Sequence, residues 1–413
     1  MLISNDLMFL NKDNINLVYN YECNSGIVVN NTILKFLKEK DTDSLEEYIN
    51  EATKKALVNA NVIIYNNDYY VDKIWTGKYI KDKYEKQDLN ISFIYFHVTN
   101  RCNLNCEYCY QKENLTTESD NLKTEDIFKI IDKFDRFKIQ KIVFTGGECT
   151  LRNDLIDILR YCKNKGIHTE IITNGVNLYN NVYSFDLLES VDKLTISLDS
   201  FNDNHNLRKG LNINKLREYL ISIPVKYNEK ILINSVISDK NLDDYEEILE
   251  FCKTYNFKSK ACLRMPNKFS DIDCLPDKNY LKNKLEFTTN DNIGCSNCSC
   301  GLNLISLDQY GNIYLCQSLM KKELVLANIF DNNWEEKLME KINKINLLHD
   351  ISYTNENCKK CEVKHICRGG CPAIRYNLFK SFIEVEPEFC KYLQIVSENK
   401  LINSVKSSLR RRS

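Results

Sequence analysis

Three cysteines crowd into one short stretch, Cys102-Asn-Leu-Asn-Cys106-Glu-Tyr-Cys109, just behind the apolar run Phe93–Val98. Such a run, bounded by polar residues, reads as a buried strand, so the thiols belong to a loop at a strand's end. The spacing lets that loop curl around a cuboidal iron–sulfur cluster and ligate three of its irons. The fourth iron then has no protein ligand and stays open to a small molecule, as an open position does in a catalytic metal site. A zinc loop is the bland alternative, but a structural zinc site wants four ligands and this stretch offers three.

Cysteine is also the compositional outlier, at 18 residues against 5 histidines. The opening Met1-Leu-Ile-Ser-Asn-Asp-Leu-Met lacks a basic segment followed by a long apolar core, so a cytoplasmic location is expected and a disulfide framework is not. With so little imidazole, thiolate-rich iron–sulfur ligation suits the inventory better than mixed zinc sites. A chain of 413 residues is expected to form two or three domains. Lys+Arg 56 against Asp+Glu 57 leaves a net charge of −1, which gives no case for a nucleic-acid partner. No apolar run reaches membrane-spanning length, so no membrane partner is expected.

Three regions separate by pattern, and together they predict an α/β fold. Residues 1–85 read as short strands (Asn16–Asn20, Gly26–Asn30), helical stretches near 31–39 and 44–58, and an apolar run at Asn61–Tyr65, which together suggest a winged-helix-like module. The Lys-rich stretch Tyr79–Asn90 reads as a linker. Over 91–265, strands Phe93–Val98, Lys141–Thr145, His168–Ile172, Lys193–Leu198, Ile231–Val236 and Lys258–Leu263 alternate with amphipathic helices Thr124–Lys138, Asp154–Lys165 and Asp243–Tyr255. Six β/α units imply a parallel sheet curled into a full or partial (β/α)6 barrel, with active groups gathered where strands end. Residues 290–395 are Cys-rich and read as a metal-stapled domain with a modest core. Residues 396–413 read as a C-terminal tail that frays into Arg410-Arg-Arg-Ser413.

The Cys102–Cys109 pattern, with aromatic Tyr108 before its last cysteine, resembles the signature of the radical S-adenosylmethionine superfamily. The resemblance implies a [4Fe–4S] cluster on Cys102, Cys106 and Cys109 whose open iron takes S-adenosylmethionine, and an electron that breaks it into methionine and a 5′-deoxyadenosyl radical. Thr145-Gly146-Gly147-Glu148 resembles the family stretch that holds the cofactor's amino group, with Cys149 where proline is common. Cys149 is read as inert rather than as a reactive thiol. Thr173-Asn174-Gly175 and Ser197-Leu-Asp199 resemble positions lining the ribose and substrate space, although Ser197 and Asp199 read nearly as well as turn caps. His205-Asn-Leu-Arg208-Lys-Gly210 loosely resembles an H-x-x-R-G stretch of peptide-modifying members, with Lys209 as an extra residue. It implies Arg208 as a partner of the cofactor carboxylate, with a solvated surface arginine as the alternative. Asn234 is read as a cofactor contact or a strand-end polar residue, and His97 as a packing residue.

Cys358-Lys-Lys-Cys361-x5-Cys367-Arg-Gly-Gly-Cys371, Cys390, and the upstream Gly311-x4-Cys316 with Cys295, Cys298 and Cys300 together resemble the SPASM extension and its two auxiliary [4Fe–4S] clusters. That resemblance implies Cys358, Cys361, Cys367 and Cys390 on the outer cluster. Cys316 and Cys371 then join two of Cys295, Cys298 and Cys300 on the inner one, with Cys295 and Cys298 ranked slightly ahead. A pair of structural zinc sites, each held by four cysteines, is the alternative. Cys23, Cys162, Cys252, Cys262 and Cys274 read as buried small hydrophobes.

SPASM members act mostly on peptides or proteins, and the first region resembles the PqqD-like module that grips a leader peptide by strand addition. The expectation is a maturase that forms a thioether or carbon–carbon link in a ribosomally made precursor peptide, supplied with electrons by a donor such as flavodoxin or ferredoxin. A sulfatase-maturase-like oxidase of Cys or Ser, and a non-catalytic iron–sulfur or zinc peptide-binding protein, are the other readings.

Overall fold

The computed structural model describes residues 1–12, 15–21, 25–64, 89–183, 185–283, 298, 300–301, 303–345, 351–352 and 354–410. Most of the expected linker, and Cys23 and Cys295 with it, therefore lie outside the described residues.

The first 64 residues begin with strands that the sequence pattern does not announce: β1 (Leu2–Ile3) and β2 (Leu7–Lys12). With β3 (Ile15–Asn20) and β4 (Ser25–Val29), β2 forms an antiparallel sheet in the order β2-β3-β4, while β1 pairs with β5 (Ile63–Ile64). Three short helices follow, Asn31–Glu39, Thr42–Tyr48 and Glu51–Asn59, the number a winged module carries, with the last two sharing the stretch read near 44–58. The division comes from caps. The side chains of Asn30, Asp41 and Asn50 each accept a backbone N–H of the following turn, so each starts its own helix. Val18, Ile33, Leu37, Leu45 and Leu57 pack into a private core between sheet and helices.

Six parallel strands form the centre of the molecule: β6 (Phe93–Thr99), β8 (Lys141–Gly146), β9 (His168–Thr173), β10 (Lys193–Ser197), β12 (Ile231–Ile237) and β13 (Lys258–Leu263), with the two short strands β7 (Asn105–Cys106) and β11 (Arg208–Lys209) paired apart from them. They pair in chain order and in register. Ile94, Phe96, Ile142, Phe144, Leu194, Ile196 and Ile233 join Ile127, Ile131, Leu155, Ile158, Leu216 and Ile248 in the main apolar cluster, which is how the helices are held on the sheet. The expected helix Thr124–Lys138 ends at Lys133. A 3-10 turn follows, and Lys138 at φ 51 closes it.

The Cys-rich region contributes strands to the central sheet. Strand β14 (Leu304–Leu307) pairs in parallel with β6, and β15 (Asn312–Tyr314) and β16 (Ala327–Asn328) extend the sheet further. The result is one open nine-stranded sheet in the order β13-β12-β10-β9-β8-β6-β14-β15-β16. The expected boundary between 395 and 396 also falls inside a single helix, Pro387–Arg410. Its Leu401 is buried against Met8, Leu17 and Tyr19 of the N-terminal sheet, so the expected tail instead docks the first module. Among the described residues, no helix is long and apolar enough to cross a membrane.

Candidate metal centre and active site

Gly146 and Gly147, Asn174, and Ser197 with Asp199 lie at or just beyond the carboxyl ends of β8, β9 and β10, and Cys102 follows β6. The chain leaves β6 at Thr99 and enters the cysteine loop, whose β7 pairs antiparallel with β11 so that Cys106 faces Arg208 across the ladder. Glu107 N–H donates to the Leu207 carbonyl at 3.0 Å, continuing that clamp. The Glu107 carboxylate in turn takes Lys209 at 3.4 Å and Lys240 at 3.0 Å, which gives the extra Lys209 a structural reason.

The paired glycines serve the same loop. Gly147 N–H donates to Thr99 O at 2.9 Å and Glu148 N–H to Arg101 O at 2.8 Å. A Cβ on Gly146 would stand 2.2 Å from Thr99 O, and one on Gly147 2.2 Å from Arg101 O. Gly146 is also at φ +141, where side chains are disfavoured. Asn174 adds a third tether, its Nδ2 donating to Asn103 Oδ1 at 2.8 Å. Asn103 and Glu107 went unnoticed in the sequence because nothing in a single chain separates a tethering polar residue inside a motif from a solvated one.

Glu148 is buried at the end of β8. Its Oε1 accepts from Thr150 N, Thr150 Oγ1 and Thr173 Oγ1, and its Oε2 from Asn174 N at 2.7 Å. Burial raises the carboxyl pKa and these hydrogen bonds oppose the rise. The carboxylate thus locks the ends of β8 and β9 together beside the loop. Cys149 behind it is fully buried, and burial raises its thiol well above the usual value, as an inert packing residue requires.

Asp199 does not cap a turn. It is fully buried, accepts from Tyr108 Oη at 2.5 Å, Val236 N at 2.9 Å and Arg208 Nη2 at 3.4 Å, and forms an ion pair with the Arg208 guanidinium, whose Nε lies 3.0 Å away. Arg208 is buried as well, which removes the surface-arginine alternative, and its guanidinium lies 5.4 Å over the Tyr108 ring. Burial pushes the Cys106 thiol up to about 11 while Arg208 pulls the other way, and burial also raises Cys102 and Cys109. The arginine is therefore a cation set where thiolates would form. Ser197 and Asn234 are register partners on β10 and β12 and share one face of the sheet, and Cys262 lies 3.8 Å from Asn234 Oδ1. His97 packs, as expected. It is wholly buried, both ring nitrogens lack hydrogen-bond partners among the described residues, its edge meets Tyr110 at 6.3 Å, and burial lowers its pKa to about 3.

Two further thiol groups form beyond the barrel. Cys300 is in contact with Cys298 and Cys316, and Cys371 lies in the field of Cys316 and Cys298, so Cys298, Cys300, Cys316 and Cys371 gather together. Cys367 and Cys390 each feel Cys358 and Cys361, which makes the second group. Burial pushes Cys371 and Cys390 to about 12. Cys162 and Cys252 are buried as expected, whereas Cys262 and Cys274 are only half-buried. Among the described residues, no three Cys, His, Asp or Glu side chains are already arranged to chelate a single ion. The donors nonetheless fit iron–sulfur chemistry: each group is sulfur without imidazole, the loop offers three thiols, and a buried guanidinium stands ready to balance their charge.

Comparison with known proteins agrees with this donor set. Residues 96–265 match the family described as the Radical SAM superfamily. A GTP 3′,8-cyclase of Limosilactobacillus fermentum is 32% identical over 197 residues, covering 46% of this chain and 58% of the relative. An S-adenosylmethionine-dependent nucleotide dehydratase of Flammeovirga pacifica is 28% identical over 37% of this chain and 56% of its own length. The chain thus spans only a little over half the length of these curated relatives. An uncharacterized protein of Methanocaldococcus jannaschii is 32% identical over 57% of this chain and 88% of its own length. Among solved structures, Streptococcus suis SuiB covers 94% of this chain and 99% of itself at TM-score 0.55 and 16% identity, and anSMEcpe with bound AdoMet covers 77% and 99% at TM-score 0.60 and 19% identity. Both share the fold. Membership of this family implies S-adenosylmethionine and a [4Fe–4S] cluster. The chain belongs to the radical SAM superfamily and is an enzyme.

Proposed function

We propose that this enzyme modifies a ribosomally made precursor peptide, forming a thioether or carbon–carbon link by radical chemistry. The observation that carries the reading is the N-terminal module. Strands β2 and β4 each leave one edge unpaired among the described residues, an opening suited to an added peptide strand. The module is fixed to the Cys-rich region by Leu401 and by Tyr21 stacked on His365 with ring centroids 3.4 Å apart, so a captured leader would be tethered beside that region. SuiB, alike in fold over nearly its whole length, has been solved bound to its precursor peptide SuiA.

Cys102, Cys106 and Cys109 would hold the cluster that binds S-adenosylmethionine, and two auxiliary clusters would sit on Cys298, Cys300, Cys316 and Cys371 and on Cys358, Cys361, Cys367 and Cys390. When bound, the reduced cluster and S-adenosylmethionine supply a 5′-deoxyadenosyl radical that abstracts hydrogen from unactivated carbon. The chain's own part is placement. Gly146, Gly147 and Asn174 fix the loop, Asp199 orients Tyr108 and Arg208 towards it, and Ser197 with Asn234 presents polar groups along the strands that face the substrate. A low-potential donor such as flavodoxin or ferredoxin would supply the electron.

Two other readings have specific support. The anSMEcpe structures include complexes with a Cys-containing peptide, which favours a Cys or Ser oxidase. The curated relatives are named for nucleotide chemistry. One experiment separates all three. Reduced, reconstituted enzyme is given S-adenosylmethionine with a peptide encoded beside its gene, a sulfatase-motif peptide, or GTP, and products are read by mass. The proposal expects 5′-deoxyadenosine and loss of two hydrogens only with the neighbouring peptide. Cofactor cleavage without any change in that peptide would refute it. The non-catalytic reading is set aside by superfamily membership.

A further inference from the structure

We infer that Arg375 is a cation shared by the two C-terminal cysteine groups, placed between them to balance the charge of both auxiliary clusters and raise their potentials. The inference rests on the reading that those groups ligate iron–sulfur clusters.

Arg375 stands on the helix Pro372–Phe379, which begins immediately after Cys371, and its N–H donates to the Cys371 carbonyl at 3.3 Å. Its side chain is directed inward, with the residue only 3% exposed. One narrow cavity is lined by Arg375 together with Cys371 of the first group and Cys390 of the second. Cys371 and Cys298 of the first group, and Cys358 and Cys367 of the second, all act on the guanidinium electrostatically. No other cationic side chain of this region is as deeply buried among the described residues.

The Cys367-Arg-Gly-Gly-Cys371 motif makes room for it. Gly369 has φ +89, and a Cβ there would stand 2.9 Å from Arg375 Nη1 and 2.2 Å from Ile351 Cγ1. The glycine is thus needed for backbone conformation and for the arginine's passage alike. Thiolate-ligated iron–sulfur cores are net anionic, and more so after reduction. A fixed cation between two such centres therefore favours the reduced form of each. Arg375 is a positioning and charge-balancing residue here, not a catalytic one.

The test uses full-length enzyme reconstituted with iron and sulfide. Iron content of the wild type comes first: enough iron for the Cys102 loop alone would overturn the two-cluster reading itself, independently of Arg375. With all centres loaded, redox titration followed by EPR is compared for wild type, Arg375→Lys and Arg375→Gln. The expected result is a fall in both auxiliary potentials in Arg375→Gln, a smaller fall in Arg375→Lys, and no change at the Cys102 centre. Loss of iron from both auxiliary groups in Arg375→Gln, with full loading in Arg375→Lys, would equally support a charge role. Unchanged potentials, a shift of one auxiliary centre alone, or equal loss of iron in both variants would overturn it.

Discussion

The loop of Cys102, Cys106 and Cys109 rests on the end of a parallel sheet backed by the main apolar cluster, whereas the Cys358–Cys390 group is backed by a small one of Ile351, Cys358 and Val385. Around the loop, the protein alone fixes the backbone through Gly147, Asn174 and the β7–β11 ladder. Around the second group, four thiols and short helices of four residues leave placement partly to whatever the thiols bind. The contrast teaches where rigidity comes from. One centre is organised before its cofactor arrives, and the other is completed by it.

The largest effect that would break this contrast is metal removal. Chelation of the reconstituted enzyme is expected to expose residues 354–367 to hydrogen exchange while strands β6–β12 stay protected. Metal-linked folding at small sites is worth on the order of 10 kcal/mol. Equal loss of protection in both regions would erase the distinction. Next comes Asp199→Asn, which leaves the buried Arg208 without its carboxylate. Such a change costs about 3–5 kcal/mol in denaturant unfolding, and Arg208→Gln in the same chain should recover part of it. Gly147→Ala, forcing a Cβ onto Arg101 O, is expected to cost about 1–3 kcal/mol and to slow 5′-deoxyadenosine formation more than it weakens the auxiliary centres.

The most gradual expected effect lies in pH, spread over several units. His97 has its pKa lowered to about 3 in the fold, against an unfolded value of 6.5. The unfolded chain binds the extra proton between these values, so the stability is full above about 6.5 and is lost as pH falls towards about 3. The slope is at most about 1.4 kcal/mol per pH unit. His97→Phe should flatten that part of the profile, and an unchanged slope would show that the ring is not buried neutral.

Much of the parallel sheet was legible because runs rich in Ile, Val and Phe mark most of its strands. Lys258–Leu263 was located to the residue, and the other five strands to within one. The cysteine loop was legible because its spacing carries its own chemistry. Three things were not. Strand β2 was overlooked because Leu7–Lys12 pairs with β3, and pairing is not a local property. The merging of β14 with β6 joins residues some two hundred positions apart, which no periodicity announces. Which cysteines gather with Cys316 depends on how Cys298 and Cys300 turn towards it, and spacing alone left that choice open. Arg208 and Arg375 look alike as text, yet each is buried beside a different thiol group.

The hydrogen-bonded seam between β6 and β14 has a mechanical consequence. Cys109 follows β6 and Cys316 follows β15, two strands away in the same sheet, so both segments ride on one plank like the jaws of a calliper locked at one reading. Lengthening the turn between Leu307 and Asn312 should leave that reading unchanged. Cutting the seam should let it drift.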